Sequence, residues 1–172
     1  MGKFYLMPDG AVATQEGKPV LLTQEEFEVC CCGRGEVIII YDWSATSMRD
    51  LDTCTEVFHG TVDEQKVGWP IGYQTKYLNL TTGDNTGTST YERVVFLAGK
   101  SMLDGVWSNN TTIICKAGWY IPEGGSGGAK LTVKYNGVTQ SITISPGSQS
   151  DLASTLVATL TITEEEVIIQ GI

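Results

Sequence analysis

The stretch "EVIIIYDW", residues 36–43, decides the fold. From Val37 to Ile40 every side chain is β-branched, and such residues pack well on a pleated surface and poorly in a helix. An apolar run this short, with no 3.6-residue rhythm, reads as a central strand covered on each side. Related runs recur along the chain: "ERVVFLA" (92–98), "TIICKAGWYI" (112–121), "KLTVKY" (130–135), "QSITIS" (140–145), "VATLTIT" (157–163) and "EVIIQGI" (166–172). Turn residues bound them, as strands require. In "KYNGVTQ" (134–140) the pair Asn136 and Gly137 separates two of the runs, the chemistry of a type I′ hairpin.

The expected fold is therefore all-β: an antiparallel β-sandwich, jelly-roll-like, with Val37, Ile39, Val94, Phe96, Ile113 and Cys115 in its core. Helical signals are few. "TQEEFEV" (23–29) offers Thr23 as an N-cap with Glu26 three residues on, and "SDLASTLVATL" (150–160) allows a turn or two from Ser150. "MPDGAV" (7–12) and "EGKPV" (16–20) read as turns in a short N-terminal arm, residues 1–23. The sandwich core is assigned to 24–121. A glycine-rich loop, "PEGGSGGAK" (122–130), leads to a C-terminal β unit, 129–172, expected to pack on or complete the sandwich.

Charge narrows the function. Eleven Lys and Arg against 20 Asp and Glu give a net charge of −9. That argues against nucleic acid, whose phosphates demand clustered cations, and suits cation binding or a basic partner. No run approaches the roughly 18–20 apolar residues of a membrane span, so no membrane insertion is expected. "MGKFYLMPDGAVATQ" lacks the apolar core of a secretory signal, and Leu6 stands where a myristoylation pattern wants Ser or Thr. The expected location is cytoplasmic, or within a virion or surface structure reached without a signal peptide.

Five cysteines, Cys30, Cys31, Cys32, Cys54 and Cys115, are an odd number. With no export signal and a vicinal trio that cannot pair without strain, free thiols are expected. A zinc site from Cys30, Cys32, Cys54 and His59 lacks the paired spacing of zinc modules. His59 is the only histidine, and neither a nucleophile elbow nor a phosphate-binding loop accompanies it, so a non-enzymatic protein is expected.

Two stretches gather oxygen ligands. "RDLDTCTEVFHG" (49–60) sets Asp50 and Asp52 on one side of an extended segment with Leu51 turned to the core, and "GDNTGTSTYE" (83–92) offers Asp84 and Asn85 between glycines. Glu92 follows at the entry to a strand. Hard cations such as calcium want six to eight oxygens from such groups on a bent loop. The same residue types also build ordinary solvated turns.

A Trp-ended strand, then "DLD", then Gly68 and Trp69, then "GDNTG" and a Glu before an apolar strand resembles the calcium-binding core of the TerD-like tellurium-resistance and stress proteins. The likeness covers residues 36–98. It implies a β-sandwich with calcium held between the two loops, and carries over to Asp50, Asp52, Asp84, Asn85 and Glu92. Where that family has further acids, this chain has Thr86, Thr88, Ser89 and Thr90, which implies one ion and not two.

A second reading remains beside it. The polar arm, glycine linker and C-terminal β unit also suit a phage tail or other surface component recognising a protein assembly partner or a carbohydrate. Trp43, Trp69, Trp107 and Trp119 with Tyr73, Tyr77 and Tyr120 are then a candidate sugar-stacking set, or else core packing.

Overall fold

The computed structural model describes residues 14–15, 18–19, 35–47, 50–58, 65–88, 90–104, 111–120, 128–148, 155–163 and 166–172. In the arm, β1 (Thr14–Gln15) and β2 (Lys18–Pro19) form a short antiparallel ladder. The candidate helix at 23–29, the turn at 7–12, Cys30, Cys31, Cys32, His59, Trp107 and most of the 122–130 loop lie outside the described residues.

Two sheets build the rest. The first contains β3 (Val37–Asp42), β6 (Leu78–Leu80), β7 (Tyr91–Phe96), β9 (Ala129–Tyr135) and β10 (Val138–Ile144), in the order β10-β9-β3-β7-β6. The second contains β4 (Leu51–Phe58), β5 (Gln65–Gly68), β8 (Thr111–Trp119), β12 (Leu156–Ile162) and β13 (Val167–Gly171), in the order β13-β12-β8-β4-β5. Among the described residues its one parallel pairing joins β11 (Gly147–Ser148) to β8. Among the described residues one short helix, α1 (Ala98–Leu103), follows β7. The protein is an all-β sandwich of antiparallel sheets.

Register explains which side chains meet. Val37, Ile39 and Tyr41 stand opposite Phe96, Val94 and Glu92 on β7, and Ile39 and Tyr41 opposite Val133 and Leu131 on β9. On the other sheet Leu51, Thr53, Thr55 and Val57 stand opposite Trp119, Ala117, Cys115 and Ile113. The apolar members of these rows close into one core, and all six residues named for it from sequence are fully buried. Cys54 and Cys115 are free, buried thiols.

Three details depart from the sequence reading. β3 is central, but Ile38 and Ile40 on its outer face are only half-buried, so cover is complete on one side alone. The helical option for 150–160 fails over residues 156–160, which are strand; Ala158, Leu160 and Ile162 bury beside β8 in an alternation that a helix would scramble. The strands β5 and β6 and the helix α1 carry too little apolar periodicity to be read from sequence, and β4 was legible only as the extended segment around Asp50 and Asp52.

β4 is the instructive case. Its sequence, LDTCTEVF, is half polar, yet every residue from Leu51 to Val57 is buried. The polar groups have partners. Tyr41 and Thr55 hydroxyls meet at 2.8 Å across the two sheets, and Lys116 donates to Glu56 at 2.9 Å with Lys66 at 3.5 Å. Buried polar groups are tolerated on these terms. The hairpin at Asn136 and Gly137 has both residues at positive φ, 48° and 77°, as a type I′ turn demands.

Candidate metal centre

Antiparallel pairing brings several strand ends to one end of the sandwich. β3 finishes where β7 begins, with Asp42 opposite Tyr91, and β4 begins where β8 finishes, with Leu51 opposite Trp119. β6 runs toward the same end and releases the 81–90 loop there. The acids separated in sequence thus arrive together.

Asp50 precedes β4 in a left-handed conformation, φ 54°, which a short polar side chain tolerates better than most. Its carbonyl accepts the Tyr120 N–H at 3.0 Å. The 81–90 loop is held by Trp43, whose indole N–H donates to the Gly87 carbonyl at 3.1 Å and whose backbone N–H donates to the Thr90 carbonyl at 2.9 Å. Gly83 supplies a positive φ of 65° at the start of that loop.

Asp50, Asp52 and Asp84 converge. One carboxylate oxygen from each lies within 4.8 Å of the others. Asp50 is 8% exposed and Asp52 2%. Burial, and then the charge of Asp84, push the Asp50 carboxyl above its ordinary range. Asp50 Oδ1 and Asp84 Oδ1 are buried with no hydrogen-bond partner among the described residues, and no described lysine or arginine pairs with either. Unsatisfied carboxylate oxygens in a buried, like-charged group are costly, and a divalent ion would relieve both penalties.

Asn85 and Glu92 stand outside this trio. The Asn85 amide donates to Thr90 Oγ1 at 2.9 Å and to the Tyr91 carbonyl at 3.1 Å, while its oxygen accepts the Gly87 N–H at 3.3 Å. It braces the loop. Glu92 is 1% exposed and sits between the sheets, where it accepts the Thr53 hydroxyl and, at 3.0 Å, the Asn85 backbone N–H. Burial pushes its carboxyl up to about 8; the two hydrogen bonds oppose this, and the charges of Asp84 and Asp52 add to it. Glu92 thereby ties β7, β4 and the loop together directly behind the triad.

Sequence reasoning found the acids and missed Thr53 as their support. A threonine on a strand is ordinary, and only the pairing of the sheets shows what it faces. The aromatic set divides: Trp43, Trp119 and Tyr77 are core residues, whereas Trp69, Tyr73 and Tyr120 are exposed. Comparison with protein-family models, curated proteins and solved structures finds no match for this chain.

Proposed function

We propose that this protein is a non-enzymatic β-sandwich module, structural or binding, that holds one calcium ion between the start of β4 and the 81–90 loop. Asp50, Asp52 and Asp84 are its carboxylate ligands. Backbone carbonyls and water complete the six to eight oxygens that calcium prefers. Asn85 and Glu92 shape the site from behind and do not enter it. The observation that carries this reading is the meeting of three carboxylates from separate stretches, two of them with buried, unpartnered oxygens. The resemblance to TerD-like proteins, which rests on the same residues, supports it from sequence.

The ion couples to stability, because it binds the folded chain and not the unfolded one. Calcium at about 100 times its dissociation constant adds roughly 2.7 kcal/mol. For a domain of this size that is a rise of several degrees in Tm, at ~2–4 °C per kcal/mol. Asp52→Asn and Asp84→Asn should each remove most of the rise. In chelator, Asp84→Asn should melt no lower than the parent, since it relieves repulsion. Identical melting curves in millimolar calcium and in chelator would end the proposal.

A further inference from the structure

A cavity opens on the first sheet where β3 and β10 finish and β9 begins. β3 ends at Asp42, directly opposite Lys130 on β9, and Lys130 stands opposite Thr143 on β10. One row of residues, Asp42, Lys130 and Thr143, thus crosses three strands. The turn leaving β3 borders this row. Its Ser44 N–H donates to Asp42 Oδ1 at 2.8 Å, and Thr46 donates its N–H and its hydroxyl to the Trp43 carbonyl at 3.0 and 2.9 Å. Between turn and strands lies a cavity of ≈320 Å³, lined by Asp42, Ser44, Lys130 and Thr143 together with the apolar Ala129 and Ile142. It shares no residue with the acidic triad.

The two charges in the row do not neutralise each other. Facing residues on antiparallel strands lie about 5 Å apart at Cβ, near enough for an ion pair. Yet among the described residues the Lys130 ammonium makes neither an ion pair nor a hydrogen bond, and the Asp42 carboxylate makes only its bond to the Ser44 N–H. The hydroxyls of Ser44 and Thr143 are also unengaged there, whereas Ser141 is paired with Thr132 at 3.0 Å. A carboxylate, an ammonium and two hydroxyls are therefore open to one cavity. Its apolar lining is fixed by the core: Ala129 is buried, and Ile142 packs against the core cluster.

We infer that this cavity binds a small zwitterion, a free α-amino acid with an uncharged side chain. Its ammonium meets Asp42, its carboxylate meets Lys130 and Thr143, and its side chain covers Ile142. Charge decides the class. Phosphate or another anion meets Lys130 but is repelled by Asp42, and a simple amine meets the reverse. A neutral sugar displaces water from both charges and neutralises neither, which works against binding. A ligand carrying both signs a few bonds apart satisfies both, through charge-assisted hydrogen bonds that are stronger than neutral ones. Size agrees, since ≈320 Å³ stands at the small end of the roughly 300–1,000 Å³ of ligand sites. The inference does not rest on the calcium reading, which places its ion on other residues.

Amide chemical shifts of the isotope-labelled full chain test it, in titrations with L-valine, L-leucine, L-threonine and L-glutamine to about 10 mM, a range that captures the weak affinities of ligands this small. Saturable shifts at Ser44, Lys130 and Thr143 are expected with at least one of them. For that amino acid, Asp42→Asn and Lys130→Met should each weaken binding about ten-fold or more, because each removes one charge-assisted contact. The exchanged pair, Asp42→Lys with Lys130→Asp, should bind again with the ligand reversed, an outcome that a merely structural role would not produce. No saturable shift at these amides with any of the four overturns the inference, and so does tighter binding of glucose or inorganic phosphate. Binding indifferent to Asp42→Asn or to Lys130→Met overturns the charge pair as its basis. The calcium-induced rise in Tm, measured on the same samples, judges the metal centre separately.

Discussion

Glu92 shows how much one side chain depends on the fold around it. In sequence it is a carboxylate at the head of an apolar strand. In the sandwich it is enclosed, and its carboxyl rises to about 8 from an ordinary 4.5. The folded, metal-free protein therefore keeps a proton between those values that the unfolded chain has already released. Stability from this group is complete below about 4.5 and is lost as pH climbs through about 8. Urea unfolding in chelator should show the parent losing stability relative to Glu92→Gln across that window, because the amide keeps the shape and cannot ionise. A constant difference between the two from pH 5 to 8 would mean that Glu92 ionises freely where it sits. Asp50 and Asp52 were legible as a pair of acids, and Asp84 as a loop acid. Their convergence was expected only through the resemblance to TerD-like proteins, because no local pattern says which strand ends share one end of the sandwich.

Among the elements, β4 exposes the limit of reading strands by periodicity. The runs around Val37, Val94, Ile113 and Leu131 announce themselves through β-branched side chains, and the pair Asn136 and Gly137 through its turn chemistry. β4 reveals nothing similar, since Asp52, Thr53, Thr55 and Glu56 break the apolar pattern. Those polar residues bury because partners on β3, β5, β7 and β8 meet them, a fact of tertiary pairing with no local signature. The Thr55 contact with Tyr41 is fully buried at both ends and joins the two sheets. Thr55→Val strips the phenol of this partner, and its predicted cost is about 1–3 kcal/mol. Tyr41→Phe in the same background should recover part of that loss. A double-mutant cycle by chemical denaturation measures it, and a coupling energy indistinguishable from zero would show that the bond contributes nothing.

The whole molecule follows from strand content and from where the strands end. Sandwich architecture was readable because several alternating runs must bury one face each, and two sheets packed face to face accomplish that. Strands on both sides of the 122–130 loop share both sheets: β9 and β10 extend the first beside β3, and β12 and β13 extend the second beside β8. That arrangement leaves β3, β4, β7 and β8 central, and their ends frame the triad. The metal proposal thus depends on the assembled sandwich and not on either acidic stretch alone. A crystal grown in chelator and then soaked in millimolar calcium, with anomalous differences recorded, tests it most directly. The account predicts a single anomalous peak 2.3–2.6 Å from an oxygen of each of Asp50, Asp52 and Asp84. An ordered triad with no peak between its carboxylates would contradict it.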